Sequence, residues 1–571
     1  MPGKKSPAPY FGRGVNRQTE VKYAATTQNL AGMPRSQCSD VGGLHADAMQ
    51  ALRRGCEESQ FLGPSLTKLR DSRYFAKSRA EVCFRKQLLT NILRHYYMHG
   101  MRHALKASMT ELLPSIFLKT RYTGMNTTKR SIQPLNPPTR WVHSASIFAI
   151  AILGCALPRL ASADETCMSP YMAKITGQEE FIYVWTLGVE GWGDGSDKLV
   201  TIDARPGSTT YGEVIHTASV GGRHEAHHGG FTDDRRQLWL SGLDTSHIFI
   251  FDVATHPEEP KLIRTITDFE EKTGAVGPHG FYALPGRMLV PCLSNSTDQG
   301  GRTAIVEYSN EGRHIATHWM PTDKNPLGAK IESVADGYGY DARVLPRKNV
   351  MLSSSFTGHG NYMRSFADLA KDSEAMRNFG QTMVLWNFHT RQPRQVFHVP
   401  GAPLEVRWAL RPTHNYAFTA SALASKLWLI YEDSEDQWKA SEVAHIGPEG
   451  QGVLPVDISL SSDDKTLFVG CFGDGICRVY DVSNPHNPRL TYEKAIGKQL
   501  NMISQSWDGK RVYFTSSLLA NWDKSGDDNE QFLKAYAWDG KQLTPTFAVD
   551  FKARELGRPH IMRFGSASLY N

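Results

Sequence analysis

Cysteine is sparse in this chain: there are eight in 571 residues, and only Cys167, Cys292, Cys471 and Cys477 lie beyond residue 163. None of these four stands in a Cys-x-x-Cys pair, which argues against a cysteine zinc site in that region. Their even number leaves room for one bridge, Cys471 with Cys477 across the FGDGI turn, provided the two side chains face each other. Acidic residues are sparse in the first 163 positions, with 8 Asp and Glu against 24 Lys and Arg. The other 408 residues hold 50 against 40, a net charge of −10 beneath a total of +6. The basic total therefore misdescribes the folding part, which is acidic, and no nucleic-acid partner is implied.

An apolar run long enough to cross a bilayer is missing as well. The stretch Ser146–Leu157 (SIFAIAILGCAL) is twelve residues, too short for a spanning helix. Lys129, Arg130 and Arg140 lead into it and the small residues Ala161, Ser162 and Ala163 follow, which is the order of a secretory signal. Ile152-Leu153-Gly154-Cys155 is a looser match to a lipidation box, and Ala161–Ala163 is the better cut site. An export signal belongs at an N-terminus, and Met125 opens MNTTKRSIQPL as a start of that kind. Residues 1–124 show no sustained periodicity and read as upstream sequence misassigned to the protein. The expected organisation is a 1–124 extension, a signal peptide over 125–163 and one catalytic domain over 164–571.

Repeats are what that domain has in abundance. Seven stretches share a short strand, a polar turn and a second strand beginning about nine residues on. Their first residues are His228, His279, Asp341, Val406, Asp457, Met502 and His560. A second motif, strand, polar turn and strand, interleaves with them from Lys198, Ile248, Thr303, Thr382, Lys426, Gly475 and Phe532. Seven copies of each half make seven four-stranded units, an all-β, seven-bladed β-propeller. The last inner copy, RPHIMRFG, follows the last outer pair, so the ring is expected to close by pairing with FIYVWTLG near residue 181.

The innermost strand of each blade lines the channel, and its opening residue sits at one mouth. Three histidines at one registered position, with His227 beside His228 and His224 just upstream, converge there from distant parts of the chain. A set of imidazoles without cysteine suits copper, zinc, iron or nickel. His414 lies eight residues past the opening position of its blade, in the turn at the far end, and is left out of the ligand set.

Quoted together, His227-His228-Gly-Gly-Phe, Pro278-His279-Gly, Leu404-Glu405-Val-Arg, Pro455-Val-Asp457-Ile, FTSSLLANWDK (514–524) and Pro559-His560 resemble the selenium-binding protein and methanethiol oxidase family. The likeness runs from about Cys167 to the C-terminus. With the export signal, it implies a bacterial periplasmic enzyme converting methanethiol, oxygen and water to formaldehyde, hydrogen sulfide and hydrogen peroxide. It also implies copper as the cofactor, held by His227, His228, His279 and His560. One departure stands out: Gly212 occupies the place of the selenium-associated cysteine of the animal members, so selenium cannot attach there.

Copper fits the chemistry, since it cycles between two valences where zinc cannot. Water attack on an oxidised carbon calls for an acid/base, and Asp341, Asp457 and the neighbouring Glu405 are the candidates, either for that role or for orienting the imidazoles. Phe231, Phe281 and Trp408 are expected to wall the pocket or to serve as propeller core. A lactonase-type metal hydrolase and a non-catalytic metal- or selenium-binding propeller are the alternatives. The expected partners are a small thiol and O2, with no membrane insertion after processing; self-association into a homo-oligomer stays open.

Overall fold

The computed structural model describes residues 165–175, 177–322, 334–523 and 530–570. The extension and the signal peptide, with its cleavage site, lie outside the described residues. Within them the alternating apolar segments pair into seven sheets, six of four strands and one of five. Each sheet is one blade, so the expected propeller is what the chain forms.

Blade one joins the chain ends. Its innermost strand, Arg558–Gly565, pairs antiparallel with Phe181–Leu187, followed outward by Lys198–Asp203 and Val214–Ser219. Blade two opens with Ala226–Phe231. Blade three divides its innermost strand into Ala275–Pro278 and Tyr282–Leu284, both pairing with Arg287–Asn295. The remaining inner strands are Ala342–Leu345, Pro403–Trp408, Pro455–Leu460 and Leu500–Gln505. Inner strands are buried almost throughout, whereas outermost ones such as Lys261–Ile266 are mostly exposed. The core accordingly lies between blade faces, where Trp185, Trp239 and Trp386 are buried whole.

One end of the channel is closed by the first described residues. Thr166 donates its N–H to the Gln505 carbonyl, and Glu165 takes hydrogen bonds from Ser504 and from Arg563. Arg343 binds the Cys167 carbonyl, and Ser169 reaches the Ala283 carbonyl. The opposite end is covered by residues 354–381 and by the single turn Ala520–Asp523. Tyr340, Phe356, Tyr362, Leu518, Leu519 and Trp522 join there in a hydrophobic cluster distinct from the blade cores.

The Cys471–Cys477 bridge that the sequence left room for does not form; both thiols are free and buried. Cys471 pairs with Ile476 and Cys477 with Gly470, so the two side chains project from opposite faces of one sheet. Gly212 has φ +82°, and a Cβ there would come within 2.9 Å of Phe547. The backbone at that position therefore disfavours any side chain, cysteine included.

Candidate metal centre

Adjacent residues of a regular strand point to opposite faces, so His227 and His228 could not both reach one site from an ideal ladder. The ladder of blade two jumps from Ala226↔Gly242 to Gly229↔Leu240. The extra residue is a β-bulge holding both histidines, a device that re-aims side chains. The same break occurs at His560, between Thr186↔Pro559 and Trp185↔Ile561. His279 sits in the gap between the two halves of its inner strand. Gly230 completes the approach: a Cβ there would lie 2.2 Å from the Phe281 carbonyl oxygen, so only glycine lets blades two and three come this close.

The four imidazoles meet as a compact group. Ring centroids of His227 and His560 are 3.8 Å apart, those of His228 and His279 4.1 Å, and those of His227 and His228 4.9 Å. One ring nitrogen from each of His227, His228 and His279 lies within 4.8 Å of the others. All four side chains are at most 3% exposed. His227 Nδ1, His228 Nε2 and His560 Nε2 are buried with no hydrogen-bond partner, a costly state for a polar atom that bound metal would relieve. Burial, reinforced by the neighbouring rings, holds the pKa values of His227 and His228 well below the usual histidine range. Burial also brings His279 down to about 3 and His560 well below its ordinary value. Neutral imidazoles with lone pairs available are what metal ligation requires. The residues present fit a metal ion of the imidazole-loving kind. His414 is elsewhere, in a far-end turn, with Nδ1 2.7 Å from Asp464.

The three carboxylates part company. Asp341 is held by Arg343 Nε at 2.8 Å and accepts from the Val406 N–H. Burial alone would raise its pKa, but Arg343 and Arg407 bring it below the usual range. Asp457 accepts from Arg407 and from the backbone of Ile458 and Ile503. Both are engaged in bracing the inner strands. Glu405 is different: Oε2 accepts from Arg407 at 2.7 Å, while Oε1 has no hydrogen-bond partner and stands 3.7 Å from His228 Nε2. Burial pushes its carboxyl up, against the pull of Arg407. In ladder terms Glu405, and not Val406, holds the opening position: Val406 pairs with the fourth residue of the next strand, as Gly229 does.

Phe231, Phe281 and Trp408 do not wall this site. Strands run from the histidine mouth towards the far end, so residues two or three positions on lie deeper; Trp408 lines the far-end cavity beside Cys167 and Arg343. Tyr340 does reach it, with its ring 4.0 Å from that of His279. Its place immediately before Asp341 was a signal in the repeat register that went unused. An apolar chamber lined by Tyr340, Phe356, Leu404, Leu519 and Trp522 has His227 in its wall.

Comparison with known proteins places the chain in a family. The family model of the 56 kDa selenium-binding protein (SBP56) matches residues 161–567. The chain belongs to the selenium-binding protein family. A family relative, the methanethiol oxidase of Ruegeria pomeroyi, is 60% identical over 426 residues, covering 74% of this chain and 98% of that protein. The methanethiol oxidase of a Hyphomicrobium species is 55% identical, covering 71% of this chain and 91% of that protein. Among solved structures, a hypothetical selenium-binding protein of Sulfolobus tokodaii aligns with a TM-score of 0.60 at 24% identity, over 70% of this chain and 97% of that one. That last likeness concerns the fold.

Proposed function

We propose that this chain is a periplasmic, copper-dependent methanethiol oxidase that converts methanethiol, oxygen and water to formaldehyde, hydrogen sulfide and hydrogen peroxide. The carrying observation is the buried cluster of neutral imidazoles in a chain 60% identical to a methanethiol oxidase. The methyl carbon gives up two electrons, oxygen gains them as peroxide, and water supplies the oxygen of formaldehyde. Copper held by His227, His228, His279 and His560 would supply a soft centre for the thiolate and one-electron exchange with oxygen. His227, His228 and His560 present unpaired ring nitrogens without first losing a proton. The apolar chamber accepts the methyl group and keeps bulk water from the imidazoles. Glu405 Oε1, next to His228, takes the thiol proton and returns one to the departing sulfide, while Arg407 fixes the carboxylate plane.

Export is part of the same reading. The family match begins at residue 161, beside the cleavage site expected after Ala163. N-terminal sequencing of the native protein should find a mature start near Asp164; a chain retaining residues from before Met125 would overturn both the signal and the misassigned extension. The activity is tested by oxygen uptake on adding methanethiol, with formaldehyde, sulfide and peroxide formed in equal amounts. A hydrolase would show no oxygen dependence and a binding protein no turnover.

A further inference from the structure

Ser517 has φ +81°, a left-handed backbone that residues other than glycine rarely adopt, and it is buried. Strain of this kind persists only where the surroundings enforce it. Asp523 does so: its carboxylate accepts the Ser517 hydroxyl at 2.6 Å and the Leu518 N–H at 2.9 Å. From the other side Asn501, on the strand Leu500–Gln505, donates its side-chain N–H to the Ser517 carbonyl. Arg558, two residues ahead of His560, lies 4.0 Å from the same Asp523 carboxylate, and Thr515 donates its hydroxyl to the His560 carbonyl. Residues 515–523 therefore grip His560 without belonging to the imidazole cluster.

What the grip fixes is the ring. A neutral imidazole ligates through Nε2 only if its hydrogen is on Nδ1, and the partner of that hydrogen sets the tautomer. His560 Nε2 has no hydrogen-bond partner, so an acceptor of the ring N–H belongs at Nδ1. The Asn501 amide is 3.3 Å from Nδ1 through its nitrogen, and it cannot serve as that acceptor: turned over, its oxygen would face the Ser517 carbonyl oxygen. The Ser517 and Leu518 carbonyls fill the place. Burial and the neighbouring His279 lower the pKa of His560, and these two carbonyls act in the opposite direction, as acceptors of an imidazole N–H do. A peptide plane free to rotate at Ser517 would carry its carbonyl away from the ring.

We propose that Ser517, held in its left-handed conformation by Asp523 and Asn501, is a positioning residue whose carbonyl keeps the hydrogen of His560 on Nδ1 and leaves Nε2 free for the metal. This rests on the reading of the four histidines as the metal centre. The test is a set of dissociation constants for Cu(II), measured by competition with a chelator on the purified protein. It compares the parent with Ser517→Ala, Asn501→Leu, His560→Ala and the pair Ser517→Ala with His560→Ala. Ser517→Ala keeps the strained backbone but removes its bond to Asp523, and Asn501→Leu frees the carbonyl from the other side. Each should weaken Cu(II) binding about 10- to 100-fold, and two sites on separate elements guard against one misfolding. In the His560→Ala background Ser517→Ala should have no further effect, because the two residues act as one unit, whereas general damage to the fold would add to the loss. Parental affinity in a variant with the parent's circular dichroism, or an undiminished Ser517→Ala loss in the His560→Ala background, would overturn the positioning role. Failure of the underlying reading would show differently, as parental Cu(II) affinity in His560→Ala itself.

Discussion

His414 and His560 differ by their neighbours more than by their chemistry. One bonds a carboxylate in an open turn; the other is buried among three imidazoles with Nε2 unpaired. Replacing His227, His228, His279 or His560 by alanine should strip copper and activity, and His414→Ala should keep both; metal analysis and oxygen uptake check this. Glu405→Gln preserves shape and the contact with Arg407 but removes the proton carrier. It should retain copper and lose about 10²- to 10⁴-fold in kcat; full activity would remove Glu405 from the chemistry. His228, His279 and His560 were legible because a repeat register turns sequence position into spatial position, and His227 as the neighbour of one of them. Glu405 was displaced by one residue and Tyr340 was passed over, since a repeat alignment does not see a bulge in the ladder.

Elements carry both the reach of the site and the integrity of the ring. The strand Ala304–Ser309 bears Glu307, which receives Arg287 at 3.0 Å, His318 at 3.0 Å and Arg391 of the next blade at 2.7 Å. Burial alone would raise its pKa from 4.5, but His318, Arg391 and Arg287 hold it down at about 2. A depressed carboxylate stabilises the fold above its unfolded value and ceases to do so as pH falls through the folded one. Glu307→Gln should therefore cost about 1–2 kcal/mol at pH 7, discounted for the partly solvated guanidiniums. The deficit should shrink between pH 4.5 and about 2, as followed by denaturant midpoints; a deficit constant down to pH 2 would contradict the clamp. Strand pairs and turns were readable from composition and spacing. The face on which Cys471 and Cys477 lie was not, because that depends on cross-strand register, which a turn sequence alone does not fix.

At the scale of the whole molecule, the metal centre and the ring closure are one feature. His560 stands on the closing strand, whose partner Phe181–Leu187 begins the first blade, while His227, His228 and His279 stand on the next two blades. Metal bound there would link the last strand of the chain to its first three blades and would be absent from the unfolded state, so it would stabilise the ring by mass action. Copper should raise the unfolding temperature of the parent, and His560→Ala should abolish the rise; a similar rise in that variant would place the metal elsewhere. Closure by RPHIMRFG was legible because seven inner and seven outer motifs interleave with an offset of one. The covering over the histidines was not, since residues 354–381 repeat nothing.

Under the proposed function, the histidine cluster works through a metal that changes valence. It is tested most directly by stripping the purified protein of metal, reloading one half with Cu(II) and the other with Zn(II), and measuring methanethiol-dependent oxygen uptake in each. Zinc accepts imidazole ligands but has no second valence to use. Both ions should occupy the site at equal stoichiometry, and only the copper-loaded protein should consume oxygen; full turnover in a zinc-loaded, copper-free preparation would rule out a valence-changing metal.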